Sequence, residues 1–158
     1  MKKLIIFLLT IACFTNCSDP CDDVNCQNGS TCDDGTCLCV EGYIGTNCET
    51  EIRAEYLDNW NFSFICDGNS EDPSDFFMIT ADPANILGII MNVEGGVFKG
   101  TVDGNGNITI SDQEVIIDGM LDDTRITGSG KIDNNIIILD VVVTSPTRLS
   151  NCTFTLTR

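Results

Sequence analysis

The chain has 158 residues, with 8 Lys and Arg against 24 Asp and Glu, no His and 10 Cys. A net charge of −16 argues against a nucleic-acid partner, because phosphate binding needs Lys and Arg to displace counterions. Without His there is no Ser–His triad, no Cys–His pair and no His-bearing zinc site, and this many Cys points to an oxidising compartment.

The first element is an address. Met1-Lys2-Lys3 is a basic start, and Leu4 to Phe14 is an apolar run too short to span a hydrocarbon core as a helix, which takes roughly 20 residues. Its length and flanks are those of a signal peptide, expected over residues 1–16. A Cys just after such a run resembles the lipobox of bacterial lipoproteins, which implies acylation of that Cys. Cys17 is preferred, because eight Cys remain downstream and can pair off completely; Cys13, preceded by small residues, is the alternative. Residues 17–19 would then be a lipidated tether. The acidic text Ser18-Asp19-Pro20-Cys21-Asp22-Asp23 is similar to the segment after the lipidated Cys in Bacteroidetes-type surface lipoproteins. The resemblance implies an outer-membrane lipoprotein exposed at the surface, with a secreted soluble protein as the alternative. The membrane partner would be reached through lipid, since so acidic a body is repelled by anionic headgroups.

Six Cys follow in the order Cys21, Cys26, Cys32, Cys37, Cys39 and Cys48, with Gly42-Tyr43-Ile44-Gly45 inside the last gap. Residues 20–49 resemble an EGF-like domain. The resemblance implies the pairs Cys21–Cys32, Cys26–Cys37 and Cys39–Cys48; six Cys alone would allow 15 connectivities. Some thirty residues cannot bury a sufficient core, so covalent staples have to replace it. The calcium-binding pattern of such modules is incomplete here, since no aromatic follows Asp33-Asp34, and no metal is expected.

Residues 50–56 read as a polar linker, and residues 57–158 as an all-β domain. Strands are predicted at Asn59–Cys66, Phe76–Thr80, Ile86–Val93, Val97–Val102, Ile108–Ser111, Val115–Leu121, Arg125–Ile132, Ile136–Val143 and Cys152–Thr157. Turn texts lie at Asp103-Gly104-Asn105-Gly106, Asp122-Asp123 and Asp133-Asn134-Asn135. The fold class is therefore mainly β: a disulfide-rich module followed by an antiparallel meander of eight or nine strands, as a barrel or a sandwich. Trp60, Phe62, Phe64 and Cys66 share one strand face, and so do Cys152, Phe154 and Leu156. Cys66 and Cys152 lie on the apolar faces of the first and last strands, and a Cys66–Cys152 bridge is predicted to close the meander. With Trp60 near its start, the meander is similar to lipocalin-like barrels. Ile86, Ile90, Ile136, Ile138 and Val142 lie on faces opposite other apolar residues, so a cover is expected there: the disulfide-rich module, a partner protein or a second layer of the same domain.

No catalytic residue and no cofactor is assigned. Asp103, Asn105, Asn107, Thr109, Ser111 and Glu114 have the spacing of a calcium loop, but Ile108 stands where the turn needs Gly, and a hairpin explains them. Adjacent Asp122 and Asp123 point apart on a strand and would not converge as acid and base. The function expected is non-catalytic ligand binding or adhesion, toward a protein, a glycan or an apolar molecule. The alternative is a structural envelope component with a filled β-domain.

Overall fold

The computed structural model describes residues 19–71, 76–93, 96–117 and 120–158; the signal-peptide reading, Cys13 and Cys17 lie outside them. The disulfide-rich segment folds as two small hairpins, β1 (Thr31–Asp33) with β2 (Thr36–Leu38) and β3 (Tyr43–Ile44) with β4 (Thr50–Glu51). Bridges Cys21–Cys32, Cys26–Cys37 and Cys39–Cys48 tie them together. Cys48 is fully buried, while most of its neighbours are exposed, so sulfur takes the place of an apolar core.

A 3-10 turn, Ile52–Glu55, leads into a closed eight-stranded antiparallel barrel. Its strands are β5 (Asp58–Cys66), β7 (Phe77–Ala81), β8 (Gly88–Val93), β9 (Gly96–Val102), β10 (Asn107–Ile117), β11 (Met120–Asp133), β12 (Ile136–Ser145) and β13 (Arg148–Thr157). The short β6 (Asn69–Glu71) pairs with the upper part of β5. Each barrel strand pairs with the next, and β13 returns to β5 with Cys152 opposite Cys66 and Leu156 opposite Phe62. Cys66 and Cys152 are bonded across that seam. This is a barrel, not a sandwich: closure leaves none of these eight strands as a free sheet edge.

Two sequence expectations are corrected. Ile108–Ser111 and Val115–Leu121 are not two strands: residues 107–117 form the single strand β10, and Leu121 belongs to β11. The inward residues change phase within β10, from Ile108 and Ile110 to Val115, because its register slips against both neighbours. The Gln113 side-chain amide fills the gap this leaves beside β9. It accepts from the Lys99 backbone N–H at 2.8 Å and donates to the Lys99 carbonyl at 2.7 Å, as a backbone amide would. Asp122-Asp123 is no turn; it lies inside β11, and the hairpin link falls between the paired Ile117 and Met120.

Of the three expected covers, a second layer of the same domain is not found over β12 among the described residues, while the disulfide-rich module does cover Ile86. Ile136 and Ile138 remain exposed on the outside of β12, and no second layer covers them among the described residues. Ile86, in contrast, lies in the β7–β8 connection and packs on the disulfide-rich segment. Its Cγ1 lies 2.5 Å from where a Cβ on Gly42 would stand, and Gly42 also has φ +90.

One end of the barrel is closed. Trp60 and Tyr56 are fully buried there, and the Trp60 Nε1–H donates to the Tyr56 carbonyl at 2.8 Å. The Arg158 guanidinium covers the Trp60 ring at 4.2 Å and donates to the Glu55 carbonyl. Buried Arg53 donates to the carbonyls of Asp82 (2.7 Å), Asn85 (2.8 Å) and Gly88 (3.2 Å), and to the Glu51 carboxylate at 2.9 Å. It thereby ties the 3-10 turn to the β7–β8 connection. Residues 50–56 thus form a clamp where the sequence suggests a loose linker.

Candidate functional site

The other end of the barrel holds an open cavity of about 450 Å3. Phe62, Phe64 and Cys66 line it from β5, and Cys152 and Phe154 from β13. Val93 and Val143 close its sides, and Asn69, Arg148 and Ser150 stand at its rim. The inward alternation of β5 and β13 explains this lining: residues two apart face the same way, so Phe62, Phe64 and Cys66 meet Phe154 and Cys152 across the seam.

The floor is aromatic. The Phe62 ring runs nearly parallel to Phe64, with centroids 6.1 Å apart and 14° between the planes. Phe154 meets Phe64 edge-on at 5.7 Å, and Phe77 meets Phe62 edge-on at 5.6 Å. Phe77 in turn contacts Phe98 and Phe154. Below these rings Ile89, Met91, Ile137, Leu139, Leu156 and Trp60 are fully buried and fill the interior. An eight-stranded barrel is just wide enough for its side chains to fill or for one small ligand to occupy, and this one divides the two uses between its ends.

The rim polar groups form a clasp across the β5–β6 and β12–β13 turns. The Asp67 carboxylate accepts from the Asn151 backbone N–H at 3.0 Å and from Arg148 Nη2 at 3.0 Å. Those two bonds, in that order, and the Ser150 hydroxyl hold the Asp67 carboxyl below the usual carboxylate range. Among the described residues lining the cavity, Arg148 is the one cation.

The residues singled out in the sequence fall in different places. Cys66 and Cys152 line the cavity, while the six Cys of residues 21–48 belong to the segment docked at the opposite end. The calcium-loop spacing is a hairpin. The Asp103 carboxylate accepts from the backbone N–H of Asn105 and Asn107 and from the Asn107 side chain, which holds its pKa low, and Glu114 lies on β10 facing Arg125. Among the described residues no group of acids and Cys is placed to hold a metal. The sequence pattern does not mark Asn69, Val93, Val143, Arg148 and Ser150 as site residues. Arg148 and Ser150 do carry a signal: the inward alternation of the last strand continues upstream of Cys152.

No family model matches this chain, and no solved structure matches it. The closed barrel with its seam disulfide, the three bridges of residues 21–48 and the aromatic cup carry the functional reading.

Proposed function

We propose that this is a non-catalytic, exported binding protein whose barrel takes a small apolar molecule into the cup at its open end. The observation that carries the reading is the cavity of about 450 Å3, walled by Phe62, Phe64 and Phe154. Small-molecule sites are typically concave, mostly apolar, a few hundred Å3 in volume and furnished with a few polar groups. A fully packed barrel would favour the structural-component alternative, and only the closed half of this one is packed.

We read the N-terminal module as EGF-like and the barrel as lipocalin-like. Two hairpins stapled by three bridges within residues 21–48 support the first; an eight-stranded meander with a buried Trp60 in its first strand supports the second. With acylation at Cys17, the module would act as a pedestal. It sits at the closed end, so the cup would face away from the anchored N-terminus, as suits a receptor for molecules arriving from the medium.

The reading is tested by titrating the mature protein with ethylnaphthalene, followed by ring-current shifts of the Phe resonances. Saturable binding at one site is expected, lost in Val143→Trp, which fills the cup, while the melting temperature stays near the wild-type value. Failure to saturate would remove the binding function.

A further inference from the structure

Resting on the cavity reading, we infer that the cup selects compact, uncharged ring compounds bearing a hydrogen-bond acceptor on one edge, such as aryl ketones or lactones.

Depth decides against long chains. Phe77, Trp60, Leu139 and Leu156 are fully exposed to one another and not to solvent, and they block the barrel beneath the cup. A ligand therefore has to be short and broad. An extended acyl chain longer than the cup would carry its further methylenes into water, where each would contribute nothing.

Wall geometry favours rings. Three phenyl rings line the cup in two orientations, Phe62 nearly parallel to Phe64 and Phe154 at right angles to it. Aromatic partners are attracted beyond simple area burial when they meet offset or edge-to-face, and a wall of differently oriented rings suits a ring more than a chain.

The rim sets the polar requirement. The Asp67 carboxylate is occupied by the Asn151 N–H, Arg148 and the Ser150 hydroxyl. The Arg148 guanidinium has five N–H donors, and among the described residues its hydrogen bond to protein goes from Nη2 to Asp67. Arg148 is donor-only, while Asn69 beside it can donate or accept, so the ligand edge that suits both is an acceptor.

Charge excludes the ionic variants. Arg148 is paired with Asp67 at 3.0 Å, so the cation among the described lining residues already has its charge matched. A carboxylate would approach against the −16 of the chain, and an ammonium would meet a guanidinium with its acid partner already engaged. An uncharged carbonyl avoids both penalties.

The test is a ligand series of one shape: naphthyl methyl ketone, naphthoate, naphthylmethylammonium and ethylnaphthalene, with octanol and dodecanol beside them. Each is titrated by calorimetry at low salt into the folded wild type and Arg148→Gln. The expected order puts the ketone first, about tenfold tighter than either ion and than ethylnaphthalene. Arg148→Gln should remove the ketone's advantage over ethylnaphthalene, and dodecanol should bind no tighter than octanol. Naphthoate or the ammonium binding as tightly as the ketone would overturn the inference, as would affinity rising from octanol to dodecanol. In either case saturable ethylnaphthalene binding would leave the apolar-site reading standing. Loss of all naphthyl binding would overturn both. The wild-type series decides the matter even if Arg148→Gln fails to fold.

Discussion

Tyr56 carries one of the clearest costs in the molecule. It is fully buried at the closed end, and its hydroxyl has no hydrogen-bond partner among the described residues. Burial first, then the nearby charges of Glu55 and Asp103, push its pKa far above the ordinary value of 10.0. Leaving a buried hydroxyl unpaired costs about 1–3 kcal/mol, so Tyr56→Phe should be at least as stable as wild type, by about 1 kcal/mol in urea denaturation. The sign with pH follows from the raised value. Below pH 10 Tyr56 stays protonated folded and unfolded, and stability is unaffected. Above it the unfolded chain ionises first, so wild-type stability falls with rising pH, and Tyr56→Phe should lose part of that decline. Asp67 works in the opposite sense. Its pKa is lowered by the Asn151 N–H and by Arg148, so its contribution is present above the ordinary carboxylate value and lost as pH falls through the lowered one. Asp67→Asn should flatten the acid limb of a plot of melting temperature against pH, and an unchanged limb would show that the clasp does not hold the mouth.

Among the strands, β11 approaches its neighbour's backbone closely at two glycines. Gly128 and Gly130 lie on the inward-facing alternation between Ile126 and Ile132, pressed against the backbone of β12. A Cβ on Gly128 would collide with the Asp140 carbonyl, and one on Gly130 with the Ile138 carbonyl. Both obstacles are main chain and cannot rotate aside. Gly128→Val should therefore destabilise by about 2–3 kcal/mol, read as a shift in denaturant midpoint. The clean alternation over residues 125–132 was legible in the sequence; the need for Gly within it was not, because the close approach is made by a neighbouring strand. Strand β10 shows the same limit. Its change of phase looks like two strands in one dimension, and only the Lys99 backbone supplied by β9 explains why Gln113 bridges the slip.

At the scale of the whole molecule, the Cys66–Cys152 bridge joins residues 86 apart in sequence across the seam where the barrel closes. In the chain-entropy model a loop of that size stabilises by about 4–5 kcal/mol, chiefly through the unfolded state. The Cys66→Ser/Cys152→Ser double variant should unfold at correspondingly lower denaturant. Because both sulfurs line the cup, it should also weaken ethylnaphthalene binding, whereas a bridge acting on the unfolded chain alone would leave affinity intact.

Strand periodicity, turn chemistry and cysteine spacing are local properties, and they carried the sequence as far as a stapled module, a β meander and the inward faces of its first and last strands. They marked Phe62, Phe64, Cys66, Cys152 and Phe154 as residues turned toward a core. They had no means of telling a filled interior from an empty one. That distinction depends on how side chains from all eight strands share the space inside: Trp60, Leu139 and Leu156 occupy one half, and the rings around the other half stop short of its mouth. Volume left over by closure is a property of the assembled barrel, and so the candidate site emerged only with tertiary structure.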